Sequence, residues 1–227
     1  MANLFNTFLY QPILSLLVFI YENLAFNDLG LAIIILTVLI RIAFLPLFHK
    51  GTKSQMVMQR IQPEIEKIRH DHKDDKEKQA TALLALYRQH GINPFSGFLL
   101  LIVQLPILIA LYRVFLAGLS AESFPNHEFL NLIDLGNKSM LMVGLAAFAQ
   151  YFQGQQVFKA KPGNGRQKTP TEQVNRYMIY MGPIFTILIL GSMPAAISLY
   201  WLVTTAFSIG QQFFINKGLV EKSEPKA

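Results

Sequence analysis

The chain of 227 residues has no cysteine. That absence excludes disulfides, thiolate metal sites, cysteine nucleophiles and a lipid-modified N-terminal cysteine. Charge is scarce as well: 15% of residues are Asp, Glu, Lys or Arg, against about 25% in soluble proteins on average. No Walker-type G-x-x-x-x-G-K-[ST] occurs, so no nucleotide-binding P-loop is expected. What takes their place is apolar. Hydrophobic residues make up 52% and aromatics 12%, with 18 Phe, and mean hydropathy is +0.34. This balance excludes a disordered chain and a basic nucleic-acid-binding domain, argues against an ordinary cytosolic enzyme, and favours a single helical bundle in a membrane.

A helix crosses ~30 Å of hydrocarbon with about 20 mostly apolar residues. Five segments meet that description and are predicted to span: residues 29–48, 93–117, 139–158, 177–191 and 194–215. The last two come from one stretch, Tyr177 to Asn216, without a single charge. It is about twice one crossing, so it folds back at Gly191-Ser192-Met193-Pro194, where Gly and Pro break the helix. Residues 1–28 read differently. Phe5, Phe8, Leu9, Ile13, Leu16, Leu17, Ile20 and Leu24 recur at helical spacing, opposite a stripe of Asn3, Thr7, Gln11 and Ser15. That pattern predicts an amphipathic helix lying in the interface, with a sixth span as the alternative. A basic n-region is missing, which argues against a cleaved signal peptide.

Lys and Arg give the orientation. Nine lie between Phe48 and Ile92, five between Phe158 and Tyr177, and three after Asn216. With five spans, these 17 of the 20 basic residues share one side. By the positive-inside rule that side is cytoplasmic, which puts the N-terminal segment outside and the C-terminus inside. Residues 118–138 then form an extracytoplasmic loop, 159–176 a basic cytoplasmic loop and 216–227 a short cytoplasmic tail.

Residues 49–92 form the one substantial polar insert. Ile61, Ile65 and Ile68, and later Leu83, Leu84, Leu86 and Tyr87, recur at helical spacing around a charged tip from His70 to Lys76. A cytoplasmic helical hairpin with a thin apolar seam is expected. The histidines and aspartates of the tip read as solvated surface rather than a metal site, because lysines stand among them. The hairpin's basic residues suit anionic headgroups, ribosomal RNA or a nascent chain.

Arg41 interrupts the first span. At the centre of a lipid-facing helix an arginine costs about 2.5–3.5 kcal/mol on insertion scales. It lies about seven residues from the cytoplasmic end, so snorkelling is one solution. Facing a bundle interior or a wet recess is the other, and there a permanent cation with five donors attracts carboxylates. Gln104, Gln150, Gln153, Ser198, Thr204, Thr205 and Gln211 are available to line such a recess. The spans hold no Asp, Glu or His, which argues against a proton relay or ion pump.

Several of these stretches together resemble the YidC/Oxa/Alb family of membrane protein insertases, bacterial members in particular. The resemblance runs from about Phe5 to Lys217. It rests on Gly30–Leu47 with its single Arg41; on Met56-x-x-Gln59-x-x-x-Pro63; on Tyr87-x-x-x-Gly91-x-Asn93-Pro94 followed by Gln104-x-Pro106; and on Leu199-Tyr200-Trp201-Leu202-Val203-Thr204-Thr205 through Gln211-Gln212.

The resemblance implies an all-α membrane protein: five transmembrane helices, an N-terminal interfacial amphipathic helix and a cytoplasmic hairpin. It implies an insertase, not an enzyme, that uses neither nucleotide nor cofactor. Its groove would open to the cytoplasm and the lipid, lined by Arg41, Gln104, Gln150, Trp201, Thr204 and Thr205. Substrate spans would leave along the third and fifth helices. Met56, Gln59, Pro63 and Tyr87 would make the hairpin's contacts. Nascent membrane proteins and lipids are the expected partners, with the ribosome and a Sec translocon as further candidates; DNA is not expected. A short bacterial plasma-membrane form is expected, because the large extracytoplasmic domain, the lipobox and a long basic tail of various relatives are not seen in this sequence. Two other readings stand beside it: an accessory assembly factor beside a Sec-type translocon, and a small secondary transporter, which the lack of internal repeats disfavours.

Overall fold

The computed structural model describes residues 2–93, 95–120, 124–158 and 170–221. Most of the expected basic loop, the end of the tail, Pro94 of the hairpin motif and three residues of the extracytoplasmic loop lie outside them. The described chain is mostly helical and divides into two compact units. One comprises Met1–Phe44 and Gln104–Gly210, the other Leu45–Val103 and Gln211–Ala227.

In the first unit, α1 (Ala2–Phe5), a π-helical turn (Asn6–Tyr10) and α2 (Gln11–Asn23) follow one another. Leu17, Ile20 and Tyr21 are the buried face of α2, which packs against α3 (Leu29–Ala43). Asp28 caps α3, accepting from Leu31 N at 2.9 Å, which satisfies one of the amides a helix start leaves open. A small loop then covers these helix ends. Strands β1 (Glu128–Phe129) and β2 (Ile133–Asp134) pair antiparallel, Glu128 opposite Asp134 and Phe129 opposite Ile133. The Phe129 ring lies directly on Gly30, so close that a Cβ there would stand 2.1 Å from Cδ2. Tyr21 and the buried Phe124 meet edge to face at 5.2 Å, and the Tyr21 hydroxyl bonds the backbone of Asn126 as donor and as acceptor.

Four helices complete that unit, two of them (the first and the last) extending beyond it: α7 (Ser96–Ser120), α8 (Met140–Phe158), α9 (Pro170–Leu190) and α10 (Ala195–Glu221). α8 and α9 are the most intimately packed pair. Small residues permit this: a Cβ on Gly154 would lie 3.3 Å from the Ile179 carbonyl. Pro183, inside α9, lacks the N–H that would bond that carbonyl, so the closest backbone approach falls where the ladder is open. The loop also holds the start of α10, through Ala195 N to Asn137 O at 2.8 Å and Ala196 N to Leu135 O at 3.1 Å.

The second unit contains α4 (Leu45–Arg60), α5 (Gln62–Asp71) and α6 (Lys76–Gln89). Ile61, Ile65 and Leu86 form its buried seam, flanked by Ile68, Leu83 and Tyr87. α5 begins with Pro63 in its first turn, where a missing N–H costs nothing. Asp75 caps α6, accepting from Lys78 N at 3.0 Å.

Residues 29–48, expected as one helix, are two. α3 ends at Ala43 and α4 begins at Leu45. Pro46 explains the break, since its ring and absent N–H oppose the helical bond to Ile42 O. Among the described residues no single helix is long and apolar enough to cross a membrane; α3 and α4 qualify together as a broken span, and Ile102–Leu116 and Tyr177–Leu190 are shorter apolar helices.

Candidate functional site

The first unit has polar groups inside and apolar groups outside. Along α7, Leu105, Ile109, Tyr112 and Leu116 are exposed; along α8, Leu141, Leu145, Phe148 and Phe152; along α9, Met181, Ile184, Phe185 and Leu188. Each set repeats at three or four residues, so each is one face of a helix. Thr37, Arg41, Thr186, Ser198, Thr204, Thr205 and Ser208 are buried instead. Water would not sustain so large an apolar surface. Lipid does.

α3 turns Thr37 and Arg41, one helical turn apart, to its buried side, while Leu39 and Ile42 are exposed. Arg41 is 7% exposed, so its guanidinium has not snorkelled to the surface of the unit. It lies within electrostatic range of Tyr200 on α10. Tyr200 is itself buried and takes a hydrogen bond from the Gln104 side-chain amide on α7. The Thr37 hydroxyl donates back to Ile33 O at 2.6 Å, removing a donor that would otherwise need an outside partner.

A second polar junction joins α8 and α10. The Thr205 hydroxyl donates to Gln150 Oε1 at 3.2 Å. Gly182 of α9 makes room for that glutamine, since a Cβ there would stand 3.1 Å from Gln150 Cγ. Farther along α10 the Ser208 hydroxyl donates to Thr204 O at 3.0 Å. Trp201 is partly buried, and its indole N–H, like the Ser198 hydroxyl, finds no hydrogen-bond partner among the described residues. Buried polar groups of this kind cost roughly 1–3 kcal/mol each when unmet, which favours water or a polar chain segment beside them.

The six expected groove residues thus all lie in the first unit. Gln104 meets Tyr200, Gln150 meets Thr205, Arg41 neighbours Tyr200, and Trp201 and Thr204 share α10 with them. Tyr200 was not among the expected lining residues, yet it accepts the hydrogen bond of Gln104 and lies within electrostatic range of Arg41. Its register on α10, four residues before Thr204, is the signal that places it on that face. The four hairpin residues belong to the second unit: Met56 is buried, Gln59 and Tyr87 are half-buried, and Pro63 is exposed. Gln211 and Gln212, also of that unit, are buried.

A helical membrane protein with a polar interior is the class these features define. The profile of the 60Kd inner membrane protein family matches residues 19–223. The chain is 34% identical over 230 residues to the membrane protein insertase MisCA of Bacillus subtilis (strain 168), covering 97% of this chain and 82% of that one. It is 35% identical over 214 residues to the membrane protein insertase YidC of Syntrophus aciditrophicus (strain SB), covering 92% of this chain but only 36% of that protein's length. Among solved structures, an active YidC insertase with its first transmembrane domain resolved matches with a TM-score of 0.64 at 29% identity, over 90% of this chain and 46% of that chain. The chain belongs to the 60Kd inner membrane protein family, and it is a membrane protein.

Proposed function

We propose that this chain is a membrane protein insertase that moves short polar segments of nascent membrane proteins past the hydrocarbon and releases their apolar spans into lipid. The observation that carries the reading is the buried Arg41, in the same unit as the Gln104–Tyr200 hydrogen bond, a unit whose outer surface is apolar. A carboxylate at the centre of a bare bilayer costs about 2.5–3.5 kcal/mol on insertion scales. A recess that supplies hydroxyls, amides and a fixed cation lowers that cost. Burial of the substrate's apolar span, at roughly 25 cal/mol per Å² removed from water, then drives release. A potential positive outside adds about 2.3 kcal/mol per 100 mV for each acidic charge carried outward. No covalent step, nucleotide or cofactor is needed for this cycle.

The topology that goes with this reading has five spans, with residues 2–23 in the outer interface and the α5–α6 hairpin and C-terminus in the cytoplasm. The hairpin, with Met56, Gln59, Pro63 and Tyr87, receives the nascent chain; ribosome and Sec translocon are the partners that would deliver it. The test is photo-crosslinking to a stalled single-span substrate, with the probe at position 104, 150 or 204. Its acidic segment should crosslink there and not to a probe at Phe185 or Leu188, which face outward. Equal crosslinking from both sets would refute the polar route.

A further inference from the structure

Two exposed turns of the first unit carry large apolar side chains in a backbone region that favours Asn and Gly. Phe26 and Asn27, between α2 and α3, have φ of 52° and 58°; Leu130 and Asn131, at the tip of the β1–β2 hairpin, have 52° and 53°. One carboxylate ties the turns together: Asp28 accepts from Leu130 N at 2.6 Å through Oδ2 while Oδ1 caps α3. Phe26 is 91% exposed and Leu132 82%, with Leu24 and Leu130 at 52% each. Turns that face water hold Asn or Gly at such positions. A phenylalanine and a leucine held there, with their side chains outward, need a compensating environment.

We infer that Phe26, Leu130 and Leu132 form a wedge that dips into the lipid at the headgroup–acyl boundary and anchors this end of the unit. The exposed apolar residues Leu16 and Phe19 of α2 lead along the chain into the wedge, so it extends a lipid-facing surface rather than standing alone. An apolar tip with a polar collar is the pattern of interfacial anchoring. Here the collar is acidic on balance, with exposed Glu22, Glu128 and Asp134 against one exposed lysine, Lys138. Insertion therefore rests on apolar burial, and anionic lipid opposes it rather than helping it. The same collar opposes a second copy, because an isologous pair of these tips brings like charges together. The wedge rests on the membrane location of the chain and not on the insertase cycle.

The absence of cysteine makes the test direct. Phe26→Cys and Leu132→Cys variants of the full chain carry a fluorophore in phosphatidylcholine vesicles, and Asp74→Cys on the α5–α6 tip serves as the aqueous control. Shallow nitroxide lipid should quench positions 26 and 132 several-fold more than aqueous iodide does, with the order reversed at 74. Added anionic lipid should not deepen positions 26 and 132, and should if anything lessen their quenching by the nitroxide. Quencher in both leaflets makes the readout independent of orientation, and insertion activity is not read, so failure of either proposal leaves the other standing. Iodide quenching at 26 and 132 equal to that at 74 would overturn the wedge. Protection from both quenchers would also overturn it, with dilution in lipid separating self-association from burial within the chain.

Discussion

Thr205 of α10 donates its hydroxyl to the Gln150 amide oxygen of α8 at 3.2 Å, a bond spanning 55 residues of sequence. Inter-helix hydrogen bonds in membranes average only ~0.6 kcal/mol, so this one positions Gln150 more than it stabilises the bundle. A double-mutant cycle of Gln150→Leu and Thr205→Val, read by unfolding in mixed micelles, should give a coupling of about 0.5–1.5 kcal/mol. Additive single effects would mean that the two side chains do not act together.

Gly30 has no room for a side chain. A Cβ would press on the Cδ2, Cγ and Cβ atoms of Phe129, a rigid ring in the loop that covers the helix ends. Gly30→Ala should destabilise by about 1–3 kcal/mol, lowering the thermal midpoint by several degrees. Phe129→Ala in the same chain should recover most of the added clash, at its own cost in burial. A Gly30→Ala chain as stable as the native one would contradict the packing.

Asp75 titrates below its ordinary value, chiefly because the Lys78 backbone N–H bonds its carboxylate and secondarily because the Lys78 side chain does. A folded-state pKa below the unfolded one stabilises above the unfolded value, about 3.9, and that contribution is lost as pH falls through the folded value. Amide protection at Lys78, normalised to intrinsic exchange, should therefore fall on acidification below pH about 4. In Asp75→Asn, which still caps but does not titrate, it should hold steady. Asp75→Ala should show weak protection at every pH.

Some of this architecture is legible in the sequence because its causes are local. The turn between α9 and α10 follows from Gly191 and Pro194, and the seam of the hairpin from Ile61, Ile65 and Leu86 at helical spacing. Arg41 stands out because one guanidinium among Ile and Leu needs a reason. Other features depend on distant partners. The β1–β2 hairpin has two-residue strands and a Leu130-Asn131 turn without glycine, so its stability comes from Asp28, about a hundred residues earlier. Tyr200 is one letter of the Leu199–Thr205 stretch until α7 brings Gln104 to its hydroxyl. The division of residues 29–48 was available in Pro46, but the strong apolar run on both sides conceals it.

The central claim is that Arg41 supplies charge to a route for polar segments, and reconstituted insertion tests it most directly. Purified wild type, Arg41→Lys and Arg41→Ala, each verified as folded, would be placed alone in liposomes. The substrate would be a single-span protein with an acidic or a neutral N-terminal segment, and protease protection would report its crossing. The account predicts insertion above empty liposomes for wild type, most of it kept by Arg41→Lys. Arg41→Ala should lose about tenfold for the acidic substrate, since one charge pair at 4 Å is worth roughly 1–4 kcal/mol between water and a semi-polar site, and much less for the neutral one. Equal insertion of the acidic substrate by wild type and Arg41→Ala would contradict it.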